Sequence, residues 1–263
     1  MEGVDNSTCG KLEEKKARVF WKTVKITKRT DKTMDENRKK DMTSKESGKT
    51  VTVSPAVIKR LPRYFRYLRE LIREGKLRIS SSELSARMHV TASQIRQDLN
   101  CFGGFGQQGY GYNVNYLYAK ISELLGVGEG YAAIIIGAGN LGRALARNPM
   151  FEKRGVDVIG IFDVDLDVVG REVGSLTVTH MKHLDEFFAD NHVDIAVLTL
   201  PKDMTPDVVK RLSDLGVRGL WNFTGMEADT ICPGIAVENV HLGDSLMTLC
   251  YELRTREGEE EEE

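Results

Sequence analysis

Apolar residues first recur at helical spacing shortly after residue 54. In "SPAVIKRLPRYFRYLRELIREG", Ser54 is suited to cap a helix, Pro55 to occupy its first turn and Gly75 to end it. The apolar positions, three and four residues apart, are Ile58, Leu61, Phe65, Leu68 and Ile72. Pro62 is expected to divide the segment into a short and a longer helix, because proline lacks the N–H of the helical hydrogen bond.

Two short helices follow, each introduced by a capping box in which a hydroxyl residue precedes Glu or Gln by three positions. Ser80 and Glu83 form the first box, and Thr91 and Gln94 form the second. The helices "SELSARM" and "ASQIRQDLNCF" are separated only by "HVT". Two short helices joined by a tight turn, after a longer helix, predict a helix-turn-helix.

The glycine-rich stretch "CFGGFGQQGYGYNV" allows three interpretations by itself: a low-complexity linker, a stacking platform for nucleic acid, or a turn that needs glycine geometry. Its position between the second short helix and the amphipathic helix "NYLYAKISELLG" favours the β-hairpin wing of a winged helix. Gln107 and Gln108 would then lie at the tip, and Tyr110 or Tyr112 could reach a phosphate. Gly111 suits a positive φ and close approach to a sugar–phosphate wall.

In the second half, after an expected domain boundary at Gly126–Gly130, strands and helices alternate. The strands "YAAIIIG", "VDVIGIFDVD", "VDIAVLTLP" and "VRGLWNF" are interleaved with the helices "NLGRALAR", "LDEFFADN" and "TPDVVKRLSDLG". This order predicts an α/β Rossmann domain with a doubly wound parallel sheet. A strand around "IAVENV", a helix "GDSLMTLCYELRTR" and the acidic tail "EGEEEEE" end the chain.

Charge is distributed unevenly along the 263 residues, although the net charge is only −2. Lys and Arg outnumber Asp and Glu by 14 to 9 in residues 1–50 and by 11 to 6 in residues 51–130, whereas the remainder has 12 against 24. The basic half is suited to an anionic polymer, which the acidic half would repel. The alternative is that the charges merely solvate two surfaces.

The cysteines and the hydropathy pattern indicate the compartment. The four cysteines, at 9, 101, 232 and 250, show no metal-ligand spacing, which is typical of free thiols in a reducing compartment. No apolar run approaches the roughly 18 residues that a membrane span needs, and the N-terminus lacks a signal-peptide core. We therefore expect a cytoplasmic protein without membrane association.

A dinucleotide-binding signature lies in "IIIGAGNLGRALA", where Gly137, Gly139 and Gly142 follow a strand and open a helix. These glycines allow a tight turn, close approach of a pyrophosphate and close packing of helix on strand. Asp163, at the end of the next strand, would accept hydrogen bonds from ribose hydroxyls and repel a 2′-phosphate, which favours NAD(H). The other residues of the predicted cofactor site are Ala138, Asn140, Leu141 and Pro201.

An NAD site also raises the possibility of a dehydrogenase, which needs an acid or base at the nicotinamide. The histidines at 180, 183, 192 and 241 are better interpreted as surface or packing residues, and no metalloprotease, nucleophile-elbow or Walker A motif occurs. The chain after Asp163 is only long enough to complete the sheet. The sequence therefore favours a protein that is not an enzyme.

The helix in "TASQIRQDLNCFG" has an apolar stripe of Ile95, Leu99 and Phe102. The polar face and the N-terminal end of this helix carry side chains that can bind phosphates or read base edges, and Arg63 of the arginine-rich first helix is expected to join them. The predicted DNA-contacting residues here are Arg63, Thr91, Ser93, Gln94, Arg96, Gln97 and Asn100. Asp98 is expected to pair with a neighbouring basic residue. An ordinary solvated face is the alternative interpretation.

These motifs together resemble the Rex family of redox-sensing transcriptional repressors. The similarity runs from about Val51 to Arg254 and includes the helix and glycine-rich segments quoted above, "IIIGAGNLGRALA", "GIFDVD", "WNF" and "VENVHL". One departure concerns the tip of the glycine-rich stretch, where the family often carries Lys or Arg and this chain has Gln107 and Gln108. Glutamines can still hydrogen-bond in a minor groove but confer less salt-dependent affinity.

The resemblance implies a homodimeric repressor with an N-terminal winged helix and a C-terminal Rossmann domain. It would bind palindromic double-stranded operator DNA when NADH is scarce and release it when NADH binds, with NADH and NAD+ as regulatory ligands. The resemblance also implies that the last helix is exchanged between subunits. The residue pattern agrees, since its apolar stripe has no later segment to cover it: Leu242, Leu246, Leu249 and Leu253.

We accordingly expect five parts. Residues 1–50, polar and lysine-rich, form a disordered basic extension that either grips phosphates or is inert. Residues 51–128 form the winged-helix domain, 129–242 the Rossmann domain, 243–256 the exchanged helix and 257–263 an acidic tail. Two other functions remain open at this point: a small NAD-dependent oxidoreductase with an incidental basic domain, and a DNA-binding scaffold with a vestigial nucleotide fold.

Overall fold

The computed structural model describes residues 54–101, 106–107 and 111–260. The predicted disorder of residues 1–50 lies outside the described part, as do Phe102, Gln108 and Tyr110. Among the described residues, no helix is long and apolar enough to cross a membrane.

The first helix, α1 (Pro55–Arg73), is continuous, so the prediction that Pro62 divides it is wrong. Ser54 caps it by accepting a hydrogen bond from the Val57 N–H. Pro62 is exposed, and its missing N–H removes one helical hydrogen bond. The buried apolar residues on both sides of it, such as Leu61 and Tyr64, stabilise the helix across this position. The buried stripe also differs from the prediction, because Ile58 is 49 % exposed. It consists of Val57, Leu61, Tyr64, Phe65, Leu68 and Leu71.

The predicted helix-turn-helix is formed by α2 (Ser81–Met88) and α3 (Ala92–Asn100). The first capping box is complete, since Ser80 Oγ accepts from the Glu83 N–H and Glu83 Oε2 accepts from the Ser80 N–H. The second is only half formed. Thr91 Oγ1 accepts from the Gln94 N–H, but the Gln94 side chain donates to Asp98 instead of turning back to the cap.

A small antiparallel sheet completes the winged helix, with β1 (Arg78–Ile79) beside β3 (Gly111–Asn113) and β3 beside β2 (Gly106–Gln107). The hairpin of β2 and β3 is the predicted wing. Gly111 has φ +69°, and a Cβ there would lie 2.6 Å from the Ile79 carbonyl oxygen. The predicted positive φ is confirmed, and the pairing of β1 with β3 by itself requires glycine here. Close approach of a sugar–phosphate wall to Gly111 stays a prediction.

Helix α4 (Val114–Leu124) packs with α1, α2 and α3 around one apolar core. The chain passes from this core to the following domain between two consecutive residues, Val127 and Gly128. Val127 packs against the core and its N–H donates to the Ser122 carbonyl, whereas the Gly128 N–H donates to the Arg154 carbonyl of the following sheet domain. A Cβ on Gly155 would lie 2.4 Å from Gly128 Cα, so the connector and the turn at residues 152–154 are in close backbone contact.

The second half is a seven-stranded sheet with the strand order β10-β9-β8-β4-β5-β7-β6. All its strand pairs are parallel except the β6–β7 hairpin, which the sequence analysis did not predict. The strands are β4 (Tyr131–Ile136), β5 (Val156–Asp163), β6 (Glu172–Val173), β7 (Leu176–His180), β8 (Ile195–Leu198), β9 (Gly219–Asn222) and β10 (Ala236–Asn239). The intervening helices are α5 (Asn140–Ala146), α6 (Leu184–Asp190) and α7 (Thr205–Asp214).

Both faces of this sheet are covered, as a doubly wound fold requires. Along β4, Ile134 and Ile136 contribute to one buried cluster and Ile135 to the other. The first cluster includes Leu184 of α6 and Leu212 of α7, and the second includes Leu145 of α5. The predicted parallel α/β sheet is confirmed.

The last helix, α8 (Leu242–Glu260), is longer than the predicted segment 243–256 and extends into the predicted acidic tail. Glutamate is a good helix former, so the run of Glu continues the helix instead of ending it. Every residue from Leu242 to Thr255 is exposed, including the four leucines of the predicted stripe.

Candidate nucleotide-binding and DNA-binding sites

The strand order reverses at β4, which lies between β5 and β8. In open α/β sheets, ligands bind beyond the carboxyl ends of the strands at such a switch point. The segment Gly137–Gly142 leaves β4 at this edge, Asp163 ends β5, and Thr199 to Pro201 follow β8. The structure therefore brings together the predicted glycine turn, the predicted acid and Pro201 on one edge of the sheet.

The three glycines of the turn meet different surroundings. Gly137 has φ +101°, and a Cβ there would lie 2.6 Å from the Thr199 carbonyl oxygen. A Cβ on Gly142 would lie 1.9 Å from the Gly137 carbonyl oxygen, so α5 could not pack on the strand with a larger residue. Around Gly139 a Cβ would meet no described atom within 4 Å. That open space lies at the N-terminal cap of α5, where a pyrophosphate is expected to approach the backbone.

Asp163 is half-buried and already bonded to the turn. Its Oδ2 accepts from the Ala138 N–H at 2.6 Å, while its Oδ1 accepts from the N–H groups of Val164 and Asp165 at 2.7 and 2.9 Å. Each carboxylate oxygen has about two acceptor positions. One position on Oδ2 therefore remains for a ribose hydroxyl.

Two further residues shape the turn and were missed by the sequence analysis. Arg143 donates to the Ala138 carbonyl at 2.6 Å and to Asn140 Oδ1 at 2.9 Å. Thr199 Oγ1 donates to the Gly137 carbonyl at 2.8 Å. Arg143 follows Gly142 directly, but nothing in the local pattern shows that its guanidinium folds back. Thr199 is 62 residues from Gly137 in the chain, and only the pairing of β8 with β4 brings them together.

Pro201 is exposed and begins the turn Lys202–Met204 that leads into α7. Its carbonyl accepts a hydrogen bond from the buried Thr205 hydroxyl. Asn140 and Leu141 are also exposed, at the start of α5, whereas Ala138 is buried. Pro201 thus follows Thr199, which touches the glycine turn, by two residues.

On α3 the structure exposes most of the predicted DNA-contacting side chains: Thr91, Ser93, Arg96, Gln97 and Asn100. Ile95 and Leu99 are buried, as predicted. Arg96 donates to Ser81 Oγ at 3.0 Å, which joins the polar face of α3 to the first residue of α2. Arg63 donates to the Met88 carbonyl at the end of α2, so its guanidinium supports the turn of the helix-turn-helix. In the wing, Gln107 is the last residue of β2.

Asp98 is fully buried and accepts hydrogen bonds from three side chains. Arg60 donates to both carboxylate oxygens at 2.7 Å, Tyr64 donates its hydroxyl at 2.9 Å and Gln94 donates its amide at 2.8 Å. Burial alone raises the pKa of Asp98, but the hydrogen bonds from Arg60, Gln94 and Tyr64 outweigh it and hold that pKa below its ordinary value. The predicted pairing of Asp98 with a basic residue is confirmed.

Burial and the hydrogen bond to Asp98 raise the pKa of the Tyr64 hydroxyl far above its ordinary value. The hydroxyl therefore stays protonated and donates throughout the physiological range. Asp98 thus joins α1 to α3 through groups that keep their charges and donor roles. This arrangement sets the position of the recognition helix on the first helix.

The four histidines considered for catalysis have local partners. His180 Nδ1 accepts from the Lys182 N–H, and His183 lies 2.9 Å from Glu186. His192 and His241 lie 3.0 and 3.1 Å from Asp194 and Glu227, respectively. Within the described ranges, no three His, Cys, Asp or Glu side chains are grouped so as to hold a metal ion.

A winged helix followed by a Rossmann sheet with an intact nucleotide turn defines a nucleotide-responsive DNA-binding regulator. Residues 52–100 match the family model "Putative DNA-binding protein N-terminus", and residues 128–226 match "CoA binding domain". Over 211 residues the chain is 50 % identical to the redox-sensing transcriptional repressor Rex of Caldanaerobacter subterraneus subsp. tengcongensis, covering 80 % of this chain and 93 % of that protein. The chain belongs to the Rex family of redox-sensing transcriptional repressors.

Two solved structures of RSP, which a third structure describes as a Rex-family repressor, are similar to this chain. The complex of RSP with beta-NADH has a TM-score of 0.73 and 44 % identity, covering 81 % of this chain and 99 % of RSP. The complex of RSP with beta-NAD+ and operator DNA has a TM-score of 0.72 and 48 % identity, covering 80 % and 96 %. Membership of a repressor family confirms the prediction that this chain is a transcriptional regulator and not a dehydrogenase.

Proposed function

We propose that this repressor binds palindromic operator DNA when NADH is scarce and releases it when NADH occupies the Rossmann domain. The observation that carries the proposal is the open space at Gly139, beside an acid on the next strand, in a chain that also exposes a polar recognition helix. The relative RSP, solved with beta-NADH and with beta-NAD+ and operator DNA, supports it. The acidic second half would be repelled by DNA, so contact falls to the basic first half.

In the proposed cofactor site, the glycine turn and Asp163 act together. The pyrophosphate lies over Gly139 at the start of α5, flanked by Asn140 and Leu141, with Ala138 beneath the turn. The free acceptor position of Asp163 receives a ribose hydroxyl, which selects NAD(H) over its 2′-phosphorylated form. Pro201 lies at the neighbouring strand end, towards the rest of the dinucleotide.

In the proposed DNA site, the N-terminal half of α3 enters the major groove and the wing lies along the backbone. The residues assigned to base edges are Gln94, Arg96, Gln97 and Asn100, and those assigned to phosphates or to the minor groove are Arg63, Thr91, Ser93, Gln107, Gln108 and Tyr110. A palindromic operator requires two such surfaces related by two-fold symmetry. DNA recognition therefore requires a dimer, for which the last helix, α8, is the proposed contact.

A second copy of the chain is the proposed cover for α8. Its leucines are 50 to 64 % exposed, although they form a continuous apolar stripe. Exchange of α8 between two subunits would bury both stripes and generate the symmetric dimer. We place this homodimer in the cytoplasm and assign residues 51–128 to DNA, 129–242 to NAD(H) and 243–256 to the exchange.

The deciding experiment is a fluorescence-anisotropy titration of a palindromic duplex, obtained by selection from a random library, without ligand and with NAD+ or NADH. We expect NADH to weaken binding by about 5- to 150-fold, since allosteric coupling is typically about 1–3 kcal/mol. Equal affinities under the three conditions would contradict redox sensing. In parallel, Arg96→Ala should nearly abolish specific binding and leave NADH affinity unchanged, because Arg96 lies on α3 and not at the glycine turn.

A further inference from the structure

Gln94 is the one residue of the proposed base-reading set whose side chain is bonded to a buried group of the described structure. Its Nε2 lies 2.8 Å from Asp98 Oδ1, one helical turn along α3. The Asp98 carboxylate is fully buried and also accepts two bonds from Arg60 and one from Tyr64. Gln94 is thus the outermost member of a network rooted in α1.

The network determines which way the Gln94 amide faces. An ionised carboxylate can only accept hydrogen bonds, so Gln94 must direct its N–H group, and not its carbonyl, towards Asp98. The opposite orientation, with the amide oxygen and nitrogen exchanged, is excluded because it would place two acceptor oxygens against each other. The Oε1 atom is directed away from Asp98, and within the described ranges no hydrogen bond reaches it.

Gln97 provides the contrast on the same helix. Its side chain is exposed, and no described group bonds its amide. A free glutamine can present either its carbonyl or its N–H group to a base, so it accommodates several bases. Gln94, by contrast, presents a carbonyl oxygen together with at most the second N–H of its amide. The two glutamines, three residues apart, therefore differ in how freely their side-chain amides can turn, because only Gln94 is bonded to the buried Asp98.

We infer that Asp98 is a positioning residue for base recognition: it holds Gln94 with its carbonyl outward, so that Gln94 prefers a base whose major-groove edge carries an amino group. Adenine N6 and cytosine N4 are the groups that satisfy such an acceptor, whereas guanine O6 and thymine O4 present acceptors to it. This inference rests on the proposed function, since it requires that the N-terminal part of α3 lies in the major groove.

The test is selection from a random duplex library with the full-length protein, followed by sequencing to give a base preference at each position of the half-site. For the wild-type protein, one position should favour adenine or cytosine by at least about fivefold, the lower range for a single specific contact. Gln94→Met, which keeps the length and removes the hydrogen bonds, should erase the preference there only. Gln97→Met should leave that position unchanged.

Two variants test the orientation of the amide. Gln94→Glu presents only acceptors, so it should retain the preference for an amino base, with cytosine favoured. Asp98→Asn can donate towards Gln94, which should turn the Gln94 amide around and shift the preference to guanine or thymine. Tyr64→Phe removes a different bond to Asp98, on Oδ2, and should leave the preference unaltered.

The outcomes separate this inference from the proposed function. If the wild-type protein selects no specific duplex, the proposed function fails. If it selects a duplex and Gln94→Met leaves the whole profile unchanged, or Gln94→Glu abolishes the amino-base preference, the fixed-acceptor role is wrong. The Gln94 variants leave the buried Asp98 in place, so the answer does not depend on whether Asp98→Asn folds.

Discussion

The Asp163 carboxylate accepts a 2.6 Å hydrogen bond from the backbone N–H of Ala138, within the glycine turn. The strand-end acid expected to bind ribose therefore also holds the loop that is expected to bind pyrophosphate. Since one oxygen of Asp163 can accept from both, loop geometry and nucleotide affinity share a single side chain.

Replacing Asp163 should consequently affect both ligand binding and stability. We expect Asp163→Ala to weaken NADH binding by about 10- to 100-fold, because hydrogen bonds to a charged group contribute about 1.5–3 kcal/mol. The melting temperature without ligand should also fall, since the buried Ala138 N–H loses its acceptor. Titration calorimetry and thermal unfolding measure the two effects. Asp167→Ala is the control, because Asp167 is exposed and lies in the segment that follows β5. Similar losses in both variants would contradict the assignment.

Two glycines of the turn should separate stability from binding. Gly142→Ala places a methyl group 1.9 Å from the Gly137 carbonyl oxygen and should lower the free energy of unfolding by about 1–3 kcal/mol, as overpacking does. Gly139→Ala meets open space and should melt within a few degrees of the wild-type protein, yet lose NADH binding. Thermal unfolding with and without NADH distinguishes them. Full NADH stabilisation of Gly139→Ala would show that no ligand approaches there.

The Asp98 network should make stability depend on pH in a defined direction. The folded pKa of Asp98 is lowered, so its contribution is complete above the unfolded value of about 3.9 and is lost as the pH falls through the folded value. At neutral pH, Asp98→Ala should cost about 3–5 kcal/mol because it leaves Arg60 unpaired.

Urea unfolding at a series of pH values checks this expectation. The difference in the free energy of unfolding between the wild-type protein and Asp98→Ala should become smaller below about pH 4. Asp185→Ala removes an exposed pair with Arg211 and should cost less than about 1 kcal/mol. If this difference in unfolding free energy stayed constant down to acid pH, the Asp98 carboxylate could not be charged in the folded protein.

The turn of the helix-turn-helix contains a left-handed residue that is not glycine. His89 has φ +51° and ψ 42° and is exposed. Since this conformation costs a residue with a Cβ about 1 kcal/mol, His89→Gly should raise the free energy of unfolding by about 0.5–1 kcal/mol, and His89→Val should lower it. Denaturant titrations give both values. A destabilised glycine variant would mean that the imidazole makes a compensating contact.

The apolar stripe of α8 should determine the oligomeric state. Leu249→Asp places a charge in the proposed subunit contact and should give a monomer by analytical ultracentrifugation, with operator affinity reduced because one half-site is lost. Thr248→Asp changes the neighbouring residue on the other side of the helix and should remain dimeric. A wild-type monomer at micromolar concentration would contradict the exchange.

Local patterns in the sequence were sufficient for most elements and for the position of the candidate nucleotide site. Helix caps, apolar spacing and glycine positions act over a few residues, so Ser54, Ser80 and the turn at Gly137–Gly142 could be interpreted without the fold. The β6–β7 hairpin was missed, and its first strand has only two residues. The continuous α1 was missed because burial on both sides of Pro62 outweighs one missing hydrogen bond.

The sequence by itself determined most of the helices and strands, the glycine turn, and which face of α3 is polar. Only the tertiary structure decided the partners: Arg60 meets Asp98 across 38 residues and Thr199 meets Gly137 across 62. It also placed the Gln94 amide against Asp98 and the Ala138 N–H against Asp163. The physical reason is that periodicity records whether a side chain is buried, whereas its hydrogen-bond partner depends on which distant segment packs against it.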